Sequence, residues 1–214
     1  MQMDVRPWLE RWQQNNIGWH EPGGNRNLRE HWHALRAGRR VLVPLCGKSE
    51  DMCWLLAQDH DVTGVEVSAL AIEIFFREQS IDYLVSEEQG LTRYRATELP
   101  LSIYCCDYFD FHEQGFDALY DRAALVALPP EIRERYASHT AGLLKADAAL
   151  LVITLAYDQA RVQGPPFSVP PEEVKAYWPG IERVASCNDI RNCSDKFHEA
   201  GVTEAIESVW CRPA

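Results

Sequence analysis

Residues 41–56 read VLVPLCGKSEDMCWLL, and this stretch decides the fold class. It begins with a short β-branched apolar run, passes through Gly47 and continues in a pattern that can form a helix. A strand, a glycine-containing turn and a helix are how a nucleotide-binding α/β unit begins. The letters GKS also resemble the end of a phosphate loop, so the first question is whether this turn binds phosphate.

Two features of the turn argue against phosphate. A phosphate loop needs a glycine five residues before Gly47, where the chain has Leu42, and the G-x-G-x-x-G pattern fails because Gly47 stands alone. Glu50 and Asp51 fall in the first helical turn, where carboxylates oppose an anionic ligand. The turn therefore suits a ligand with a cationic centre and little net negative charge.

Glu66 narrows the ligand further. It ends the next apolar run, nineteen residues after Gly47, where α/β folds place the carboxylate that accepts hydrogen bonds from a ribose diol. The alternative is an ordinary capping or exposed acid at a strand end. A nucleoside without phosphates is indicated, and S-adenosylmethionine is the common ligand that combines a ribose, an adenine and a sulfonium cation.

Short apolar runs alternate with helical patterns along the chain, which indicates βαβ units and a sheet covered on both faces. Strands are predicted at 40–44, 61–65, 102–106, 116–120 and 149–155, and helices at 49–58, 68–79 and 130–145. Segments 181–189 and 203–210 are typical of a closing antiparallel pair. We therefore predict a Rossmann-like α/β fold with a central, mostly parallel seven-stranded sheet.

The length and the net charge of the chain limit its domain organisation and the kinds of partner that it can bind. With 214 residues, 46% of them apolar, the chain is predicted to form one domain over 1–214, with a helical lid segment at 1–38 and a doubly wound core at 39–214. A net charge of −11 argues against a nucleic acid or an anionic membrane as partner. The partner expected from the motifs below is a small-molecule substrate. The N-terminus has no apolar signal segment, so a cytoplasmic protein is expected, and nothing in the sequence demands more than a monomer.

The cysteines and histidines predict no metal site. The seven cysteines are an odd number with no C-x-x-C pair, and they are interpreted as reduced thiols, with Cys46 serving in packing. His31 and His33 project to different faces of a helical pattern.

Five motifs then occur in order: VLVPLCGKSEDM, VTGVEVS with a following FFREQ, YCCDYFD, DRAALVAL and GPPFSVPPEEV. Together they resemble the thiopurine S-methyltransferase family over nearly the whole chain. The resemblance implies a class I methyltransferase fold, S-adenosylmethionine as donor with S-adenosylhomocysteine as product, and a soft sulfur or selenium nucleophile as acceptor. Family members methylate thiopurines, and the bacterial-type members, which the short N-terminus resembles, are linked to detoxification of selenium and tellurium oxyanions.

The resemblance also implies roles for residues that match the family's motifs. The implied cofactor-binding residues are Trp8, Trp12, Leu45, Gly47, Glu66, Asp107, Tyr108 and Arg122. Leu45 and Gly47 are expected beside the amino-acid part of the cofactor and Glu66 at its ribose. Asp107 and Tyr108 are expected beside the adenine.

Three tryptophans are assigned to the ligand. Trp8 and Trp12, four residues apart, share a helical face and can close as a lid over the cofactor, although each can equally anchor the helix to the core. Trp19 stands where the family places an aromatic residue over the acceptor. Because it lies in a glycine-containing loop, it is expected to stack on a flat acceptor.

Two basic residues complete the predicted acceptor site. Arg122 follows a strand at the carboxyl edge of the sheet and is expected to act in catalysis by contacting cofactor and acceptor; the alternative is a surface ion pair with Asp121 or a helix acid. Lys196 stands where the family often carries an arginine, and a lysine there keeps the charge but lacks the planar fork.

Two questions stay open. One is which group takes the proton of a neutral acceptor, and the other is whether the protein has one of two alternative functions. His20 or Asp107 can take that proton, whereas an anionic acceptor needs no strong base. A halide, thiocyanate or small-thiol methyltransferase shares the donor site but needs a smaller acceptor pocket. A non-catalytic nucleoside-binding module retains the donor site alone.

Overall fold

A nine-stranded sheet lies at the centre of the computed structural model, which describes residues 4–214. The strands are β1 (Arg40–Pro44), β2 (Asp61–Glu66), β3 (Tyr83–Glu88), β4 (Leu91–Ala96), β5 (Leu101–Cys105), β6 (Phe116–Arg122), β7 (Leu144–Ala156), β8 (Glu182–Asn188) and β9 (Ile206–Arg212). The helices are α1 (Arg6–Gln13), α2 (Arg26–His31), α3 (Asp51–Ala57), α4 (Ala69–Glu78), α5 (Pro130–Leu143), α6 (Pro171–Tyr177) and α7 (Asp195–Glu199).

The order of strands is β3-β4-β5-β2-β1-β6-β7-β9-β8. The five strands from β5 to β7 are parallel, and β9 and β8 close the sheet in antiparallel pairing. This arrangement confirms the predicted Rossmann-like class, with every predicted strand present.

The predicted count of seven strands is wrong, because the hairpin β3–β4 adds two strands beyond β5. Its turn, Gln89–Gly90, has φ of 53° and 81°, which is the positive-φ geometry of a two-residue hairpin. Leu84 and Val85 on β3 are 55% and 54% exposed. Without a buried face, the strand lacks the apolar pattern by which the other strands were predicted.

Apolar clusters lie on both faces of the sheet because successive strand residues point to opposite sides. On β1, Val41 and Val43 belong to one cluster and Leu42 belongs to the other. The first cluster packs under α3 and α4, and the second packs under α5 and α6. No helix within residues 4–214 is long and apolar enough to cross a membrane.

Only some residues of the N-terminal segment, which precedes β1, are buried in the core. Leu28 and Trp32 are buried in the first cluster, and the indole N–H of Trp32 donates a 2.8 Å hydrogen bond to Nε2 of His60. In α1 only Trp12 is buried. The predicted lid at 1–38 thus includes core residues, and its first three residues lie outside the described part of the chain.

Replacing Trp32 with alanine is expected to lower the free energy of unfolding by about 3–5 kcal/mol, because the change removes a buried aromatic side chain and leaves a cavity. Urea denaturation measures the difference. The matched control is Trp8→Ala, a half-exposed tryptophan of α1, for which a loss of about 1 kcal/mol or less is expected. Equal losses in the two variants would contradict the conclusion that Trp32 belongs to the core and Trp8 does not.

Candidate active site

A cavity of about 1070 Å³ opens at the carboxyl edge of the parallel strands. Ligands bind at this edge in open α/β sheets. Of the residues predicted to bind ligand, the cavity is lined by Trp8, Trp12, Trp19, Leu45, Glu66, Asp107, Tyr108, Arg122 and Lys196. The structure therefore brings both predicted ends of the site into one space.

The turn after β1 has a constrained backbone. Leu45 and Gly47 have φ of 47° and 53°, and a Cβ atom at Gly47 would lie 3.0 Å from the Trp12 ring. Only glycine combines this conformation with so close an approach. Gly47 lies behind Trp12 and does not itself line the cavity.

Glu66 ends β2 and is buried, with 6% of its surface exposed. Its Oε2 accepts a 2.9 Å hydrogen bond from the amide of Gly47, and its Oε1 accepts one of 2.8 Å from the amide of Ser68. Burial raises the pKa of this carboxyl group, and the backbone amides oppose that rise. A carboxylate has about four acceptor positions, so two amide bonds leave capacity for a diol.

Asp107 and Tyr108 follow β5 and differ in what they offer the cavity. Asp107 is half-buried, and its Oδ1 accepts a 3.0 Å bond from the amide of Phe109, while Oδ2 has no such bond from the described residues. Tyr108 is buried, its hydroxyl pairs with the Thr140 hydroxyl at 2.9 Å, and burial raises its pKa. Asp107 therefore keeps a polar atom available to a ligand, whereas the hydroxyl of Tyr108 is used within the core.

Three tryptophans form one wall of the cavity. The Trp19 ring contacts Trp8 and Trp12 edge-on, with centroids 5.3 and 5.8 Å away. The guanidinium of Arg11 lies 5.8 Å from the Trp8 ring and 6.0 Å from the Trp19 ring. Trp12 thus links the turn at Gly47 to Trp19, and the three rings pack as one group.

The two acids at the start of α3 hold the N-terminal loop and do not line the cavity. Glu50 accepts a 3.1 Å bond from the amide of Gly23, and Asp51 accepts one of 2.6 Å from the amide of Asn25. The Tyr120 hydroxyl also donates to Asp51, at 2.7 Å. These bonds fix the loop that carries Trp19 against the sheet.

Arg122 ends β6 and reaches back to this loop. Its guanidinium donates to the carbonyl oxygen of Trp19 and to the carboxylate of Glu21, and its side chain is 18% exposed. The alternative of a pair with Asp121 is wrong. Asp121 is fully buried on the other side of the strand, where it accepts bonds from the Tyr136 hydroxyl and the Leu125 amide, and burial raises its pKa to about 6.

Lys196 lies in α7 on the far side of the cavity. Its ammonium donates to the carbonyl oxygens of Pro165, at 2.6 Å, and Gln163, at 3.1 Å, and thereby joins α7 to the GPPF loop. Burial and then the charge of Arg11 lower its pKa. An ammonium has three donors, so one stays available to a ligand.

Several polar residues of the cavity wall were not predicted from the sequence, among them Arg11, Glu21, Asn27 and Glu207. The sequence does mark Glu207, because it is an acid within a mostly apolar strand. Arg11 and Glu21 adjoin tryptophan motifs that were identified. For Asn27 the sequence carries no comparable signal.

The described cysteines near the site are neutral thiols, and residues 4–214 contain no cluster of metal ligands. Cys106 lines the cavity, and burial raises its pKa to about 12, so the thiol is neutral near pH 7. The thiol pKa of Cys46 is likewise raised by burial. Among residues 4–214, no three His, Cys, Asp or Glu side chains are grouped so as to hold a metal ion.

Comparison with solved structures identifies the fold. The Burkholderia thailandensis 1,6-didemethyltoxoflavin-N1-methyltransferase, solved with its substrate and S-adenosylhomocysteine, is 17% identical with a TM-score of 0.62, covering 98% of this chain and 87% of that one. The Haemonchus contortus phosphoethanolamine N-methyltransferase 2, solved with S-adenosylmethionine, is 11% identical with a TM-score of 0.68, covering 100% and 61%. At these identities, the likeness shows the class I methyltransferase fold alone.

Sequence comparison identifies the family. The family model described as thiopurine S-methyltransferase matches residues 3–213. The thiopurine S-methyltransferase of Pseudomonas fluorescens (strain Pf0-1) is 45% identical over 210 residues, which are 95% of either chain. That of Bordetella petrii is 44% identical over 218 residues, 97% of either chain. The chain therefore belongs to the thiopurine S-methyltransferase family and is a methyltransferase of the class I fold.

Proposed function

We propose that this protein transfers a methyl group from S-adenosylmethionine to the sulfur of thiopurines and to related soft nucleophiles, including selenium and tellurium compounds. We propose further that it does so as a cytoplasmic monomer without a metal ion. The observation that carries the proposal is that one cavity joins the Glu66 carboxylate to the Trp19 and Arg122 side chains. Incubation with methyl-labelled S-adenosylmethionine and a panel of thiopurine, thiol, selenite and tellurite acceptors tests it.

The donor end of the cavity suits a nucleoside with a cationic centre. Glu66 offers acceptor positions for the ribose diol, and Asp107 offers a carboxylate oxygen for the adenine amine. The amino-acid part of the cofactor lies beside the turn at Leu45 and Gly47, a role that the positive φ of both residues supports by fixing the backbone there. When bound, S-adenosylmethionine supplies a methyl group that its sulfonium already activates, so the residues need only orient it and exclude water.

The acceptor end suits a flat, soft nucleophile. Trp8, Trp12 and Trp19 give it an aromatic wall, and Arg122 and Lys196 give it cationic donors. Stacking on the ring of Trp19 positions a heteroaromatic acceptor at a small conformational cost. Arg122 acts in catalysis by orienting the acceptor and by stabilising the partial negative charge that develops as the acceptor loses its proton.

This geometry supports the two alternative functions less well than the proposed one. A halide or thiocyanate ion has no flat face that could stack on the aromatic wall formed by Trp8, Trp12 and Trp19. A non-catalytic module would need no second, aromatic end. Donor binding without turnover on every acceptor of the panel would favour that module.

Glu66→Gln is expected to weaken binding of S-adenosylhomocysteine by about 10- to 100-fold, because charge-assisted hydrogen bonds to the ribose are lost. Isothermal titration calorimetry measures the dissociation constant. Glu73→Gln is the matched control, since Glu73 lies exposed on α4 and away from the cavity. Unchanged affinity in the Glu66 variant would remove Glu66 from the donor site.

Arg122→Ala is expected to lower kcat/KM for the acceptor by about 100-fold or more, because a fixed cation beside the acceptor is lost. The comparison variant is Glu21→Ala, which breaks the ion pair and leaves the guanidinium in place. If Arg122 served only to hold the loop, both variants would lose activity equally. A larger loss for Arg122→Ala supports its contact with the acceptor, which steady-state kinetics measures.

Trp19→Ala is expected to raise the apparent KM of a thiopurine by about tenfold, since base–aromatic stacking contributes about 1–3 kcal/mol. The affinity for S-adenosylhomocysteine should change less, because Trp12 covers the donor turn directly. Kinetics and calorimetry on the same preparation give both values. A larger loss of donor affinity would place Trp19 in the cofactor site.

A further inference from the structure

Glu207 is a carboxylate in the cavity wall to which no role has yet been given. It lies on β9, where its neighbours along the strand, Ile206 and Ser208, belong to the packed sheet. Its Oε1 accepts a 2.9 Å hydrogen bond from the side-chain amide of Asn27. Its Oε2 accepts no hydrogen bond from any residue within 4–214, although Glu207 lines the cavity.

The register of the sheet places Glu207 and Arg122 on the same face. Arg122 pairs with Ile153 on β7, and Leu155, two residues further along β7, pairs with Glu207. Paired residues, and residues two apart on one strand, point to the same side of a sheet. From strand spacing and rise, the two backbones are separated by roughly 10 Å across the sheet and roughly 7 Å along it. The side chains of Arg122 and Glu207 therefore leave the sheet on the same face, and both line the cavity.

Asn27 holds the carboxylate in place. The backbone N–H of Asn27 donates a 2.9 Å hydrogen bond to Oδ1 of Asn25, and the backbone N–H of Asn25 donates one in turn to Asp51. Both asparagines are buried. One oxygen of Glu207 is thus anchored to a rigid chain of bonds, and the other faces the cavity.

Charged and titratable groups surround Glu207 on every element that packs against it. They are Glu21 and Arg26 from the N-terminal segment, Arg122 on β6, Cys187 on β8, and Asp189 and Cys193 after β8. Burial, and then the charge of Asp189, raise the pKa of Glu207, while Asn27 and Arg122 oppose the rise. A carboxylate with a raised pKa is a stronger base than an exposed one.

We propose that Glu207 is the proton acceptor of the reaction and that its preferred substrate is a neutral heteroaromatic thione or thiol. This inference rests on the proposed function. The acceptor sulfur uses a lone pair to bond the methyl carbon, and the donor sulfur keeps the electron pair of the bond that breaks. The electrons of the acceptor's N–H or S–H bond neutralise the resulting positive charge, and the proton passes to Oε2, which becomes a carboxylic acid.

The other candidates for this proton are placed less well. Asp107 lies after β5, at the donor end. Burial, and then the charge of Lys48, lower the pKa of His20, which makes its imidazole a weaker base than usual. Moreover, the carboxylates of Glu21 and Asp189 near Glu207 repel a doubly charged oxyanion. A neutral acceptor that can donate a proton fits this end best.

The test compares Glu207→Gln with wild type on two acceptors, 6-mercaptopurine and 4-nitrobenzenethiol, the second of which is already ionised at neutral pH. Glutamine keeps the bond from Asn27 but cannot take a proton. At a pH below the ionisation of the thiopurine, kcat for 6-mercaptopurine is expected to fall by about 100-fold, and kcat for the ionised thiol by less than about threefold. As the pH rises and the thiopurine ionises, the difference between the enzymes should narrow.

Two controls keep the outcomes distinct. Glu204→Gln changes an exposed acid three residues away and is expected to leave both reactions unchanged, and S-adenosylhomocysteine affinity reports that each variant is folded. Equal losses on both acceptors, or a wild-type pH profile in Glu207→Gln, would overturn the role of Glu207 alone. Failure of the wild type to methylate either acceptor would overturn the proposed function and this inference with it.

Discussion

The hydrogen bond from the Gly47 amide to the Glu66 carboxylate, 2.9 Å long, is the constraint on which the site depends. It joins the turn after β1 to the end of β2. In a phosphate loop such an amide points at a phosphate, whereas here an internal carboxylate takes that place. A buried carboxylate needs such partners. The Gly47 amide is therefore not free to bind a phosphate, and Glu50 and Asp51 have a different task.

That task is to hold the N-terminal loop that carries Trp19 against the sheet. Glu50 and Asp51 bind the backbone of residues 23 and 25, and Arg122 binds Trp19 and Glu21 from the opposite side. A Cβ atom at Gly24 would lie 2.6 Å from an Asp51 oxygen, so the loop approaches α3 as closely as glycine permits. Because Trp12 packs on Gly47 and Trp19, its ring connects the turn after β1 to the loop that carries Trp19.

The sequence predicted those features that local spacing determines. The parallel strands are buried on both faces and are read from continuous apolar runs. Glu66 follows from the fixed length of a strand–turn–helix–strand unit. The β3–β4 hairpin was not predicted because most of β3 is exposed. The alternative considered for Arg122, an ion pair with Asp121, is wrong because adjacent strand residues point to opposite faces.

Other site features depend on contacts that no local pattern contains. Glu207 gains its surroundings from residues 27, 155 and 189, which only the folded sheet brings together. Roles of individual residues came from the family resemblance, since the same tryptophan spacing equally describes a helix packed on a core. The structure shows where these side chains lie, and their roles stay predictions that the variants above address.

The placement of charge in the cavity also has a consequence for the reaction. An isolated Arg122 would repel the sulfonium of the donor, but its ion pair with Glu21 cancels much of that repulsion while its N–H groups keep their direction. Ile153 and Leu155 give the wall between Arg122 and Glu207 an apolar surface. Methyl transfer moves the positive charge from the donor sulfur to the acceptor, and in the proposed role of Glu207 this charge then leaves the acceptor as a proton. Fixed groups at two ends of an apolar wall allow this shift without the reorganisation of water that a solvated site would need.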